Sequence, residues 1–245
     1  MLKAQQQAAD RGSSAAALVA AIRSGLASRS DPVKAAGTQR YMKSAMPYRG
    51  VSLPAQRELY RQLFAQHPLS SFDEWRATVL RLWDEAEFRE ERYAALALIG
   101  DRRYALFRTL EALPLYRQLI VSGAWWDLVD GLATHEIADL LRHNPIFMRV
   151  RLLDWSRGSD PWLRRTSIIC QVSFKRETDQ ELLFACIEPS LSERGFFLRK
   201  AIGWALREYA KAEPEAVQRY VVEHESQLSV LSRREALKHV GSPAR

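Results

Sequence analysis

Long apolar runs are missing from this chain. None of its 245 residues lies in a stretch approaching the roughly 18 apolar positions that a membrane-spanning helix needs. The most apolar early stretch, Ala15 to Ile22, is short and alanine-rich, with Asp10 and Arg11 before it and Arg23 and Arg29 after it. Its weak apolar centre, with no convincing cleavage site behind it, reads as a helix rather than a secretion signal. Cysteine is scarce. Cys170 and Cys186 both fall in apolar helical contexts, which suits buried thiols in a reducing compartment better than a disulfide framework. A cytoplasmic location is the expectation. Several chemistries also lack their residues. There is no G-x-x-x-x-G-K-[ST] phosphate loop, no G-x-G-x-x-G turn and no G-x-S-x-G elbow. The five histidines, His67, His135, His143, His224 and His239, show neither H-E-x-x-H spacing nor paired cysteines, so no metal and no cofactor is expected. No helix-turn-helix with an evident base-reading helix is visible.

What is present is helix and positive charge. Lys and Arg number 36 against 29 Asp and Glu, a net charge of +7, with a pI near 9.6. Basic balance favours a polyanionic partner, because neutralised phosphates release counterions. Arginine's planar guanidinium also matches phosphate geometry. The 11 glycines and 10 prolines gather between periodic segments, and no alternating Val/Ile/Thr-rich strand is visible. The pattern predicts helices from Pro54 to about Gln66, from Ser71 or Asp73 through Trp83, and from Phe88 to Ile99. Further helices are expected near 104–111, 115–122, 125–142, 146–155, 161–174, 178–187, 195–211, 214–223 and 231–240.

An internal repeat organises them. Leu163-Arg164-Arg165-Thr166-Ser167-Ile168 resembles Leu198-Arg199-Lys200-Ala201-Ile202-Gly203, and Ser232-Arg233-Arg234-Glu235-Ala236-Leu237 follows. Glu91-Arg92-Tyr93-Ala94-Ala95-Leu96 lies about two periods before the first of these. Each copy sets a basic residue early on a helix with small or apolar residues behind it. Helix pairs of this kind bury their apolar faces by stacking. The expected fold is therefore all-α: a HEAT-like helical-repeat solenoid with a concave basic groove. It would occupy residues 14–240 as a single domain, between a flexible N-terminal segment (1–13) and a C-terminal tail (241–245).

The repeat copy due near residue 128 instead reads Trp125-Trp126-Asp127-Leu128-Val129-Asp130. Trp125, Leu128, Val129 and Leu132 form an i, i+3, i+4, i+7 core stripe. Trp126 and Asp130, four apart, share another face. An edge-packed tryptophan beside a solvated aspartate fits that spacing as well as a reactive site does.

At these residues the chain resembles the bacterial alkylpurine DNA glycosylases called AlkD, within the HEAT-like DNA alkylation repair proteins. The resemblance spans roughly residues 38 to 240. It rests on Tyr41-Met42-Lys43; on Tyr48-Arg49-Gly50-Val51-Ser52-Leu53-Pro54-Ala55-Gln56-Arg57, where Tyr48 stands for the usual Phe; and on the segment Trp125 to Asp130. Trp162-Leu163-Arg164-Arg165, the run from Phe196 to Tyr209 and the run from Leu231 to His239 continue it. Residues 1–37 have no clear counterpart. The resemblance implies a monofunctional enzyme that removes N3- or N7-alkylated purines from double-stranded DNA and leaves an abasic site. Asp130 would be its catalytic carboxylate, Trp126 and Trp204 the aromatic contacts to the lesion nucleotide, and Arg165 the arginine on the nearby phosphate. Tyr41, Lys43, Arg164, Arg199, Lys200, Arg233, Arg234 and Lys238 are candidate DNA contacts, and equally plain helix-surface residues. The enzyme would act as a monomer, away from membranes. A non-catalytic module that binds DNA or protein, or a relative with altered lesion or branched-DNA specificity, shares much of this pattern.

Overall fold

The computed structural model describes the backbone of residues 2–238 and 240, with side chains from Ser14 onward. Every regular element among these residues is helical, as the sequence pattern predicts. No described helix is long and apolar enough to cross a membrane. The chain divides into two compact units, Met1–Arg108 and Thr109–Arg245.

The first unit holds α1 (Leu2–Ala27), α2 (Pro32–Met42), α3 (Leu53–Gln66), α4 (Phe72–Asp84) and α5 (Arg89–Gly100). Buried Leu18, Val19, Ile22 and Leu26 give α1 a continuous stripe against α3 and α4. Ser71 settles the start of α4: its side chain accepts the Glu74 N–H, the bond expected of an N-cap. The Tyr48–Arg57 segment earns its form from a buried carboxylate. Glu90 accepts the N–H groups of Arg49 (3.0 Å), Gly50 (2.8 Å) and Val51 (3.3 Å). Gly50 sits at φ +79°, where a Cβ would lie 2.2 Å from the Asp31 carbonyl oxygen, so the loop closes only around glycine. The Tyr60 hydroxyl completes the arrangement on the Glu90 carbonyl oxygen at 2.8 Å, and burial pushes its pKa well above the usual tyrosine value.

The second unit holds α6 (Leu113–Gly123), α7 (Trp126–Leu132), a π-helical turn (Ala133–Ile137), α8 (Ala138–His143), α9 (Pro145–Arg157), α10 (Pro161–Ile169), α11 (Gln180–Ile187), α12 (Phe196–Ala210), α13 (Pro214–Glu223) and α14 (Val230–Ala236). Four expected boundaries change, the first being the helix expected over 231–240, which ends as α14 at Ala236. Residues 125–142 form not one regular helix but α7, the π turn and α8. The helix expected over 161–174 stops at Ile169, and the chain turns through Lys175 at φ +57°. The segment near 104–111 is two short 3₁₀ turns, Arg102–Phe107 and Leu110–Ala112. Cys170 and Cys186 are free and buried. Burial raises both thiols, that of Cys186 to about 12.

Candidate functional site

The site is assembled where α7, α10 and α12 begin. After α6 the chain reverses through Ala124 at φ +40°, and Trp125 is extended as the residue that caps α7. Its ring packs against Phe197 (centroids 5.1 Å apart) and Trp162 (6.3 Å), which also meet each other at 5.1 Å. These tilted and edge-on ring contacts fall in the distance range where aromatic pairs are worth about 0.5–1.5 kcal/mol beyond area burial. They tie the first turn of α7 to the first turns of α10 and α12. With Trp125 turned inward and Leu128, Val129 and Leu132 in the core, Trp126 faces outward, 37% exposed, with Asp130 one turn along.

Arg165 of α10 closes the site. Its Nε donates to Asp130 Oδ1 at 2.7 Å and a terminal nitrogen donates to Oδ2 at 2.8 Å. The other terminal nitrogen donates to the Phe197 carbonyl oxygen at 2.6 Å. Arg165 is 5% exposed, while the Asp130 side chain keeps 19% of its surface in solvent. A bidentate pair holds a carboxylate in both position and rotation. All three nitrogens of the guanidinium that the resemblance assigns to a DNA phosphate are therefore engaged inside the protein.

Lys200 of α12 lies 3.1 Å from a Glu235 oxygen on α14, and the same carboxylate pairs with Arg207. Trp204 is half-buried and packs on the core of the second unit; no ring contact joins it to Trp126 among the described residues. Four-residue steps put Phe196, Lys200 and Trp204 on one face of α12. Phe196 is 60% exposed and precedes the residue whose carbonyl holds Arg165. Sequence reasoning passed over it, because one phenylalanine in a Phe-Phe pair gives no sign of which ring faces out.

The other basic candidates divide. Arg164 pairs with Glu193 at 2.6 Å and donates to Ser190 Oγ and the Pro189 carbonyl oxygen. Arg199 donates to the Glu193 carbonyl oxygen at 3.0 Å, so these two brace the chain between α11 and α12. Arg233 pairs with Glu225 at 2.6 Å. Arg234 and Lys238 are exposed, with no side-chain partner among the described residues. Tyr41, 78% exposed, and Lys43, which ends α2 at φ +50°, lie in the first unit. Among the described residues no group of three or more His, Cys, Asp or Glu side chains is placed to hold a metal ion.

The profile of a family described as DNA alkylation repair enzymes matches residues 22–240. Among solved structures, the chain resembles a predicted DNA alkylation repair enzyme from Enterococcus faecalis. The two are 26% identical with a TM-score of 0.77, and the match covers 87% of this chain and 98% of that one. No curated protein matches the chain.

Proposed function

The chain belongs to the DNA alkylation repair enzyme family, and on that premise we propose that it is a monofunctional DNA glycosylase of the AlkD type. It hydrolyses the N-glycosidic bond of N3- or N7-alkylated purines in double-stranded DNA and leaves an abasic site. One observation carries this reading: a carboxylate gripped at both oxygens by Arg165, with part of its side chain still in solvent and one helical turn from an exposed indole.

The chemistry asks for little more. Alkylation at N3 or N7 makes the purine cationic, so it leaves readily without a general acid. As the glycosidic bond lengthens, positive charge grows on the deoxyribose. A carboxylate fixed in advance stabilises that charge without reorganising, and it can orient the attacking water. Trp126 and Trp204 offer indole faces to a cationic sugar–base unit, each worth on the order of 0.5–2 kcal/mol. Arg165 aligns Asp130; a phosphate contact would use the N–H groups left over on its two terminal nitrogens. Nothing in the motif sets a lysine beside Asp130, so Schiff-base strand cleavage is not expected. A concave basic groove, a monomeric state and action in the bacterial cytoplasm complete the proposal.

The test is release of 7-methylguanine from methylated duplex DNA. Asp130→Asn should lose most excision and still bind DNA. Wild-type excision by that variant would rule the mechanism out. A second reading draws on the same ion pair: Arg165 neutralises Asp130, as it would in a non-catalytic DNA-binding member of the family. That reading predicts no base release from the wild-type protein.

A further inference from the structure

The helical run after Trp125 keeps a period that an α-helix cannot keep. Leu128, Leu132, Glu136 and Leu140 are buried in one row, and Val129, Ala133, Ile137 and Leu141 in a second. Both rows advance by four residues. An α-helix turns about 100° per residue, so every fourth position drifts by about 40°, and three such steps swing a row by about 120°. The π turn Ala133–Ile137 absorbs that drift. The Ala138 N–H bonds to the Ala133 carbonyl oxygen, five residues back, and this wider turn restores the register. A third row at the same spacing, Trp126, Asp130 and Thr134, runs along the less buried side.

Asp130 stands at the mouth of the turn. Its carbonyl oxygen accepts the Ala133 N–H and also the Thr134 hydroxyl at 2.7 Å. Nδ1 of His135 lies 2.9 Å from the Gly131 carbonyl oxygen and 3.3 Å from Thr134 Oγ1. With its proton on Nδ1, His135 donates to both, and that proton is present whether the ring is neutral or charged. A threonine that bonds back four residues is common in helices and assigns nothing alone. Thr134 differs in its acceptor, which is the backbone of the candidate catalytic residue, and in its place inside the π turn.

We infer that Thr134, backed by His135, is a positioning residue for Asp130. Its hydroxyl pins the carbonyl where the helix widens, and so sets the rotation at which the backbone hands the carboxylate to Arg165. The two Arg165 contacts, at 2.7 and 2.8 Å, leave little room for a different rotation. For its rate readout the inference rests on the glycosylase reading; for its structural readout it does not.

The experiment compares Thr134→Val, which keeps the shape and loses the donor, with Thr134→Ser, which keeps the donor, both in the full chain. Single-turnover release of 7-methylguanine, duplex affinity and the NMR resonance of the Arg165 Nε–H are measured. Thr134→Val should slow release about tenfold through misalignment alone, leave affinity unchanged and shift the resonance, while Thr134→Ser keeps both rate and resonance. In an Asp130→Asn chain, Thr134→Val should slow release no further. Should the valine chain not fold, Thr134→Ala carries the same comparison. A wild-type rate and resonance in Thr134→Val, or equal losses in the valine and serine variants, would overturn the inference. If the wild-type protein releases no methylated purine, the glycosylase reading falls, and the resonance alone decides the role of Thr134.

Discussion

Asp130 pairs with Arg165 and Lys200 pairs with Glu235, each across 35 residues, so four residues at steps of 35 supply two ion pairs from one repeat position. In the first pair a guanidinium meets both carboxylate oxygens, and its side chain is 6% exposed. In the second a single ammonium contact at 3.1 Å comes from a side chain 41% exposed, and Arg207 shares the carboxylate. The repeat thus provides a slot for a charge pair between successive helices. What sets one slot apart is a cation withdrawn from water, two-point geometry and the ring cluster of Trp125, Trp162 and Phe197 beside it. Removing one partner from a withdrawn pair strands a charge. Removing Lys200 leaves Glu235, itself only 12% exposed, with Arg207 still beside it, so that charge keeps a partner.

The largest effect follows from that contrast. Arg165→Ala should cost about 3–5 kcal/mol of stability, because Asp130 loses both of its tight contacts with most of its side chain out of water. Lys200→Ala should cost about 1 kcal/mol or less. Urea unfolding of the two variants side by side measures the gap. Equal losses would mean that the repeat position, and not the buried two-point cation, sets the strength of the pair.

Glycines near the two pairs give a smaller and signed contrast. A Cβ on Gly203 would lie 2.7 Å from Glu235 Cβ and 3.1 Å from the Ser232 carbonyl oxygen, so α12 and α14 approach closely through the missing side chain. Gly203→Ala should cost about 1–3 kcal/mol, as overpacking does, and loosen the Lys200–Glu235 pair. A Cβ on Gly131, next to Asp130, meets nothing within 4 Å. Gly131→Ala should therefore gain about 0.5–1 kcal/mol of helix stability. Thermal unfolding checks both signs, and a loss at Gly131 would show that α7 needs slack there.

How far the sequence foretold this site depends on the reach of each interaction. The all-helical class and most helix spans followed from local periodicity, because core stripes such as Leu128, Val129 and Leu132 repeat within a few residues. α2 gave no such signal: among its residues only Met42 is buried, so nothing in Pro32–Met42 looks amphipathic. The overrun past Ile169 arose because Val172 and Phe174 extend the apolar pattern through a turn. The four-residue rows of 128–141 stand in the sequence, yet buried Glu136 breaks their apolar look and the π turn goes unseen. The partners of the basic residues were illegible for a different reason. Arg165 and Arg164 find their carboxylates 35 and 29 residues away, and no local pattern carries a contact at that range.

That partition of the cations yields the smallest predicted effect, and one that bears on DNA directly. A basic side chain adds to the salt dependence of DNA binding only if it trades counterions for phosphate, at about one unit of slope per contact. Arg234 and Lys238 are exposed, without a side-chain partner among the described residues, and cost nothing to redirect. Arg164 would first have to leave Glu193, Ser190 and Pro189. Duplex affinity measured across a salt series should therefore lose about one unit of slope in Arg234→Ala and in Lys238→Ala, and none in Arg164→Ala. A flattened slope in Arg164→Ala with unchanged Arg234→Ala and Lys238→Ala would reverse the assignment. The ion pairs of the repeat would then be reservoirs opened by DNA, and the contrast between the Asp130 and Glu235 slots would describe only the protein without its substrate.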